Sequence, residues 1–296
     1  MKYLSFFPIL LLQAAIMSQA WAAPVTFNTA LPISEGVFLY RQQLRWQSSA
    51  DDPSGMNREM DAQVAISVLG YGINSKLAVF GVVPWVDKSL EMTVNGNAIE
   101  RDNRGMGDAK VFARYTFWQD DAQGRTFRAA AFGGLTAPTG KDDETDRFGR
   151  LPPSLQNGSG TWNGFGGVVA TWQSMNFEID GEISYEENRE ANNFEAGDES
   201  RLNFSWQRWY WPSDSSRDAG FLYGVEFNWL HRGQNKVGGQ KEANSGGDTL
   251  WLAPTLQYVT QRYILEMALQ KPVVQDLNGT ALENDLIAIT SVRFIF

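Results

Sequence analysis

A chain of 296 residues with a formal net charge of -9 and a pI near 4.8 is a poor partner for nucleic acid, because phosphate binding calls for a basic surface. It contains no cysteine, which removes disulfide frameworks and thiol chemistry alike. A mean hydropathy of -0.32 excludes a bundle of membrane helices, while 28 glycines, 18 phenylalanines and 11 tryptophans mark a chain rich in turns and aromatics.

The chain begins with Lys2, an apolar stretch from Tyr3 to Met17 and the small-residue pattern Ala20-Trp21-Ala22. An apolar run of about 15 residues is short of the ~20 a spanning helix needs, and a cleavage site follows at once. We therefore expect a signal peptide over 1–22, cut after Ala22, and a single mature domain over 23–296 outside the cytoplasm.

A short lead from Pro24 to Glu35 precedes a long series of segments in which apolar and polar residues alternate, the signature of strands. In the first, Phe38, Tyr40, Leu44 and Trp46 share one face and Arg41, Gln43 and Arg45 the other. Twelve such segments are predicted, over 36–46, 60–70, 75–85, 107–118, 126–136, 161–172, 177–187, 201–211, 220–231, 248–259, 263–272 and 285–296. Each is about ten residues long, which is what a tilted strand needs to cross a bilayer. The connections alternate. Gln47 to Glu59, Val86 to Met106, Ala137 to Gly160, Asn188 to Ser200, Arg232 to Gly247 and Val273 to Asn284 are long and polar, and those between them are mostly short. Long outer loops, short periplasmic turns and an even strand count predict an all-β fold: one antiparallel transmembrane β-barrel of about twelve strands, with both termini periplasmic.

In that fold the apolar face of each strand meets lipid. Val111, Tyr115 and Phe117 do so in the fourth strand, Ile179, Ile183 and Tyr185 in the seventh, and Leu202, Phe204 and Trp206 in the eighth. Lys or Arg on the lipid face costs ~2 to 4 kcal/mol at the bilayer midplane, so charge is driven into the lumen. The candidate lumen cations are Arg41, Arg45, Lys110, Arg114, Arg128, Arg201 and Arg293, and the candidate carboxylates are Asp61, Asp108, Glu178, Asp180, Glu182, Glu226 and Glu266. They either pair across strands and fill the interior or line a water-filled constriction that screens solutes. The chain ends "SVRFIF", with Val292, Phe294 and Phe296 on the lipid face of the final strand. Phe294 and Phe296 resemble the terminal aromatic signal read by the barrel-assembly machinery.

His231 is the only histidine, and His231-Arg232-Gly233 has glycine where an outer-membrane phospholipase carries its nucleophilic serine. A Ser-His-Asp site is thus not expected. The acidic run Asp142, Asp143, Glu144 and Asp146 lacks the spacing of a calcium loop and reads as a solvated loop; no metal or other cofactor is expected. Asn157-Gly158-Ser159 and Asn278-Gly279-Thr280 match the glycosylation sequon but read as turns.

Several blocks carry a family resemblance: "GMGDAKVFARYTFW" (Gly105 to Trp118), "GGLTAPTGKDD" (Gly133 to Asp143), "LWLAPTLQY" (Leu250 to Tyr258), "LEMALQKPVV" (Leu265 to Val274) and "YGINSKLAVFGVVPWV" (Tyr71 to Val86). In order and spacing they resemble the outer-membrane transporters found with meta-cleavage phenol-degradation pathways. Where such relatives often have glycine after the tenth-strand proline, this chain has Pro254-Thr255. The resemblance implies a barrel that lets small aromatic or hydrophobic solutes through the outer membrane. In the Gram-negative channel so expected, in contact with lipid and lipopolysaccharide, Ala137 to Gly160 is a candidate lid. The alternatives are a closed structural or adhesion barrel working through its outer loops, and an outer-membrane phospholipase.

Overall fold

The computed structural model describes residues 22–210 and 219–296. The expected signal peptide, Ala22 apart, and most of the turn expected over 212–219 lie outside the described residues. Twelve long strands form the body: β1 Phe38–Ser49, β2 Glu59–Gly72, β3 Leu77–Val94, β4 Ala109–Ala122, β5 Arg125–Ala137, β6 Asn163–Ser174, β7 Phe177–Glu187, β8 Glu199–Tyr210, β9 Ala219–Arg232, β10 Gly247–Thr260, β11 Tyr263–Leu277 and β12 Leu286–Ile295. Each pairs antiparallel with its neighbour, and β12 closes on β1 from Ser48↔Leu286 to Leu39↔Ile295. The result is a closed twelve-stranded barrel with no free edge.

The barrel is inverted relative to a protein folded in water. Ile183, Val111 and Leu202 are 62%, 58% and 54% exposed, whereas Glu178, Asp180 and Glu226 are fully buried. This is the distribution expected when strands alternate lipid-facing and lumen-facing residues. Outward aromatics collect at the end that carries the short turns. Phe221 lies 5.1 Å from Tyr258, Tyr258 6.5 Å from Tyr263, and Tyr263 6.5 Å from Phe294. Across the closure Phe296 stacks on Phe38 at 5.9 Å, and Phe38 meets Tyr71 at 4.6 Å. Amphipathic rings in such a belt sit at the membrane interface.

One predicted loop is not a loop. β3 runs on to Val94, turns at Asn95-Gly96 and returns as Asn97–Met106, paired from Val94↔Asn97 to Trp85↔Met106. Asn95 and Gly96 have φ of 52° and 79°, the left-handed pair that a two-residue hairpin turn requires. Asn-Gly between two runs of β-forming residues is the signal for this hairpin, and the reading of Val86 to Met106 as an irregular loop passed over it.

The lead before β1 is the second departure. It does not trail from the barrel but enters it. Val25, Ala30, Ile33 and Val37 are buried against inward-facing residues of different wall segments: Val25 with Trp251, Ala268, Ile287 and Ile289, Ala30 with Ala130, Phe132 and Val169, and Ile33 and Val37 with Ala78 and Phe80. The segment over 22–37 is an internal plug seated on apolar anchors.

Candidate functional site

An irregular segment inside a barrel brings backbone N–H and C=O groups that β-pairing leaves unbonded, and each needs a partner. The lumen side chains supply them. Glu226 on β9 accepts from the amides of Val25 at 2.7 Å and Thr26 at 3.0 Å, and also from the Thr26 hydroxyl. Glu182 on β7 accepts from the Asn28 amide at 3.3 Å and from Asn203 at 3.0 Å. The Thr171 hydroxyl on β6 takes the Ala30 amide at 2.8 Å and itself donates to Asp180. In the other direction Arg114 on β4 donates 2.6 Å bonds to the carbonyls of Thr29 and Leu31, Arg41 on β1 donates to Val25 at 2.7 Å, and Gln257 on β10 to Ala23 at 2.8 Å.

The other predicted lumen charges are arranged around this core. Glu266 on β11 is shared by Arg41, at 2.8 Å, and Arg293 on β12. Lys110 on β4 pairs with Glu186 on β7 at 2.8 Å, and Arg201 on β8 bridges Glu186 and Glu199, the latter also held by Arg232. Glu178 accepts from Gln173 at 2.7 Å. Arg128 pairs with Asp121 at 2.8 Å where β4 and β5 approach their short turn. Arg45 makes no ion pair or hydrogen bond among the described residues; its register partners on either side are Val64 and Ile289.

Two predicted lumen residues have other places. Asp61 is exposed and pairs with Ser48, on the opposite parity of β1 from Arg41 and Arg45, so it points outward near the outer end of β2. The inward face of β2 carries Val64, Ile66 and Val68, of which Val68 lines the cavity between plug and wall. Asp108 sits at the outer rim, where it accepts from the Gly140 amide at 2.9 Å and from the amide and hydroxyl of Ser159 at 2.7 Å each. It ties down a loop.

That loop, over 138–162, is built as a cap. Leu151 and Leu155 are buried with Leu90, beside Met60 and Met92, above the barrel mouth. Lys88 and Asn103 on the β3 hairpin donate to Gln156 and Leu155 carbonyls at 2.7 and 2.9 Å. Arg101 grips Asp146 at 2.7 Å and holds that carboxyl below its usual range. The acidic run is thereby divided: Asp146 goes to Arg101, Glu144 to Lys141 at 2.8 Å, and Asp142 to Asn192.

Between plug and wall lies a cavity of about 430 Å³. One part of its lining is apolar, with Phe80, Phe112, Phe132 and Phe165 from successive strands; Phe80 and Phe112 stack at 4.6 Å. The other part is charged, with Arg45, Lys110, Arg201, Glu182 and Glu186. The plug itself, from Thr26 to Ser34, forms one side. It escaped sequence reasoning because Pro24 to Glu35 has no period.

On the outer face, pairing sets Ser200, His231 and Asp248 in one row across β8, β9 and β10, a juxtaposition not visible in the sequence. His231 Nδ1 lies 3.1 Å from Asp248, and its ring stacks on Trp229.

The profile of the family described as "Putative MetA-pathway of phenol degradation" matches residues 48–260, and the chain belongs to that family. No curated protein matches the sequence. Among solved structures, the fold is similar to that of the COG4313 outer membrane channel from Pseudomonas putida F1, with a TM-score of 0.64 and 15% identity over 93% of this chain and 100% of that one. The beta domain of the Bordetella autotransporter BrkA (TM-score 0.46, 12% identity, 89% and 100% covered) and the NanC porin (0.45, 12%, 86% and 98%) are more distant.

Proposed function

We propose that this member of the phenol-degradation family is an outer-membrane channel in a Gram-negative bacterium for the passive passage of small aromatic or hydrophobic molecules. The observation that carries the reading is the cavity of about 430 Å³ between plug and wall. It falls at the small end of the range for ligand sites, and joins a phenylalanine wall to charged groups that orient a guest. Family membership and the likeness to an outer membrane channel support the same reading. In planar bilayers the barrel should conduct weakly, and liposomes containing it should swell in small aromatic solutes. Removing residues 23–35 should raise the conductance. A barrel silent with and without the plug overturns the proposal.

The bonded plug and packed cap also favour a second reading, a sealed barrel that acts through its outer loops. Deleting residues 138–160 separates the two: a channel conducts more, whereas an adhesin stays sealed and loses surface binding. Neither reading is enzymatic. The structure gives Ser200 no hydrogen bond to the His231 ring, half of which is exposed. We expect fatty-acid release from phospholipid to stay at background in the native barrel and in His231→Ala alike; release above background that the substitution abolishes would make this an enzyme.

A further inference from the structure

Six cationic side chains line the cavity, Arg41, Arg45, Lys110, Arg114, Arg201 and Arg293, against two carboxylates, Glu182 and Glu186. Counting Glu199 and Glu266, which pair with these cations from outside the lining, six cations still meet four carboxylates. Glu178 and Glu226 lie outside the lining but face Arg293 and Arg41, so the excess belongs to the lining itself and not to the lumen as a whole. In a chain whose overall charge is -9, the cavity lining is cation-rich.

Five of the six cations have polar partners. Arg41 and Arg293 share Glu266, Lys110 and Arg201 share Glu186, and Arg114 donates to two plug carbonyls. Arg45 alone among the six makes no hydrogen bond or ion pair with another described residue, and it stands between the aliphatic Val64 and Ile289. A half-buried guanidinium in contact with no carboxylate keeps its fork free, and that fork matches a carboxylate bidentately. The phenylalanines of the same cavity offer an apolar body its place.

We propose that the cavity selects an anionic amphiphile, a carboxylate carried on an aromatic or short aliphatic body, with Arg45 as the carboxylate's counter-ion. This deepens the channel reading and rests on it for its physiological sense, but binding can be measured without transport. The probes are benzoate and its neutral near-isostere benzamide, titrated calorimetrically into the full barrel in nanodiscs of zwitterionic lipid. Benzoate is expected to bind more tightly than benzamide by roughly tenfold or more, as for a charge-assisted contact. Arg45→Gln should erase that difference while leaving benzamide binding alone, and Arg45→Lys should restore most of it. A heat-dependent gel shift verifies that each variant is folded. Equal binding of the two probes to the native barrel, or a benzoate preference that survives Arg45→Gln, overturns the proposal. If the preference depends on Arg45 but no current is seen in bilayers, the site stands and the channel reading fails. If current is seen without the preference, the reverse holds.

Discussion

Asp52 fastens the first outer loop by accepting from the amides of Ser54 and Arg58, the Ser54 hydroxyl and the Arg58 guanidinium, the last at 2.6 Å. Partial burial raises its carboxyl, and the Arg58 and Ser54 bonds more than reverse this, leaving it well below the usual carboxylate range. A depressed folded value means that the contribution to stability is complete above the unfolded value of about 4 and is lost as pH falls through the lower folded one. Hydrogen exchange should accordingly find the Ser54 and Arg58 amides still protected at about pH 4, and Asp52→Asn should lose that protection at neutral pH. Loss of protection in the native loop well above that pH would refute the assignment. Glu226 does the equivalent work in the lumen, with two plug amides and a hydroxyl on one fully buried carboxylate. Hydrogen bonds to a charged group are each worth about 1.5–3 kcal/mol. Glu226→Ala should therefore free the plug at Val25 and Thr26 and raise single-channel conductance in a barrel that keeps its heat-dependent gel shift; unchanged conductance would mean the apolar anchors hold the plug alone.

The strands and the plug are elements of different legibility. A strand such as β7 announces itself, because Ile179, Ile183 and Tyr185 alternate with Glu178, Asp180 and Glu182 and both faces are specified by their solvent. The lumen parity of most charges followed from that alternation. It failed at β2, where aliphatics face inward and Asp61 outward, since parity was read there from charge alone. The plug has no such pattern, because its hydrogen bonds reach partners up to 234 residues away in sequence, as in Gln257 to Ala23, and its backbone rather than its side chains does most of the bonding. What the sequence does hold is its point of entry. Gly72 accepts from the Gly36 amide at 2.9 Å and donates to the Val37 carbonyl at 3.0 Å, and a Cβ there would collide with the Ser34 carbonyl. Gly72→Ala should push the plug off the wall at this turn. The expected result is a folded barrel with increased conductance and faster proteolysis within residues 23–37, whereas native behaviour in both assays would show that the plug exit tolerates displacement.

At the scale of the whole molecule, closure depends on one seam. Eleven of the twelve neighbouring strand pairs join elements consecutive along the chain, but β1 and β12 meet across its full length, so their pairing has the largest loop-closure cost of any. The seam is reinforced where β1 begins. Phe38 and Phe296 exchange both backbone hydrogen bonds, at 2.7 and 2.9 Å, and stack their rings, while Arg293 reaches inward to the Glu266 that also holds Arg41. The lumen side of the seam is thus an ion-pair network and the lipid side an aromatic clasp. The clasp also shares Phe296 with the pair on which an assembly machinery reading this strand would act, a role we propose for Phe294 and Phe296 together. Removing Phe296 deletes two of the ladder's hydrogen bonds and one ring contact but no lumen group. Folded barrel recovered from the outer membrane should drop severalfold, and the barrels that do form should conduct as the native ones do. Normal recovery would remove the terminal residue from the assembly signal, and altered conductance would show that the seam also shapes the pore.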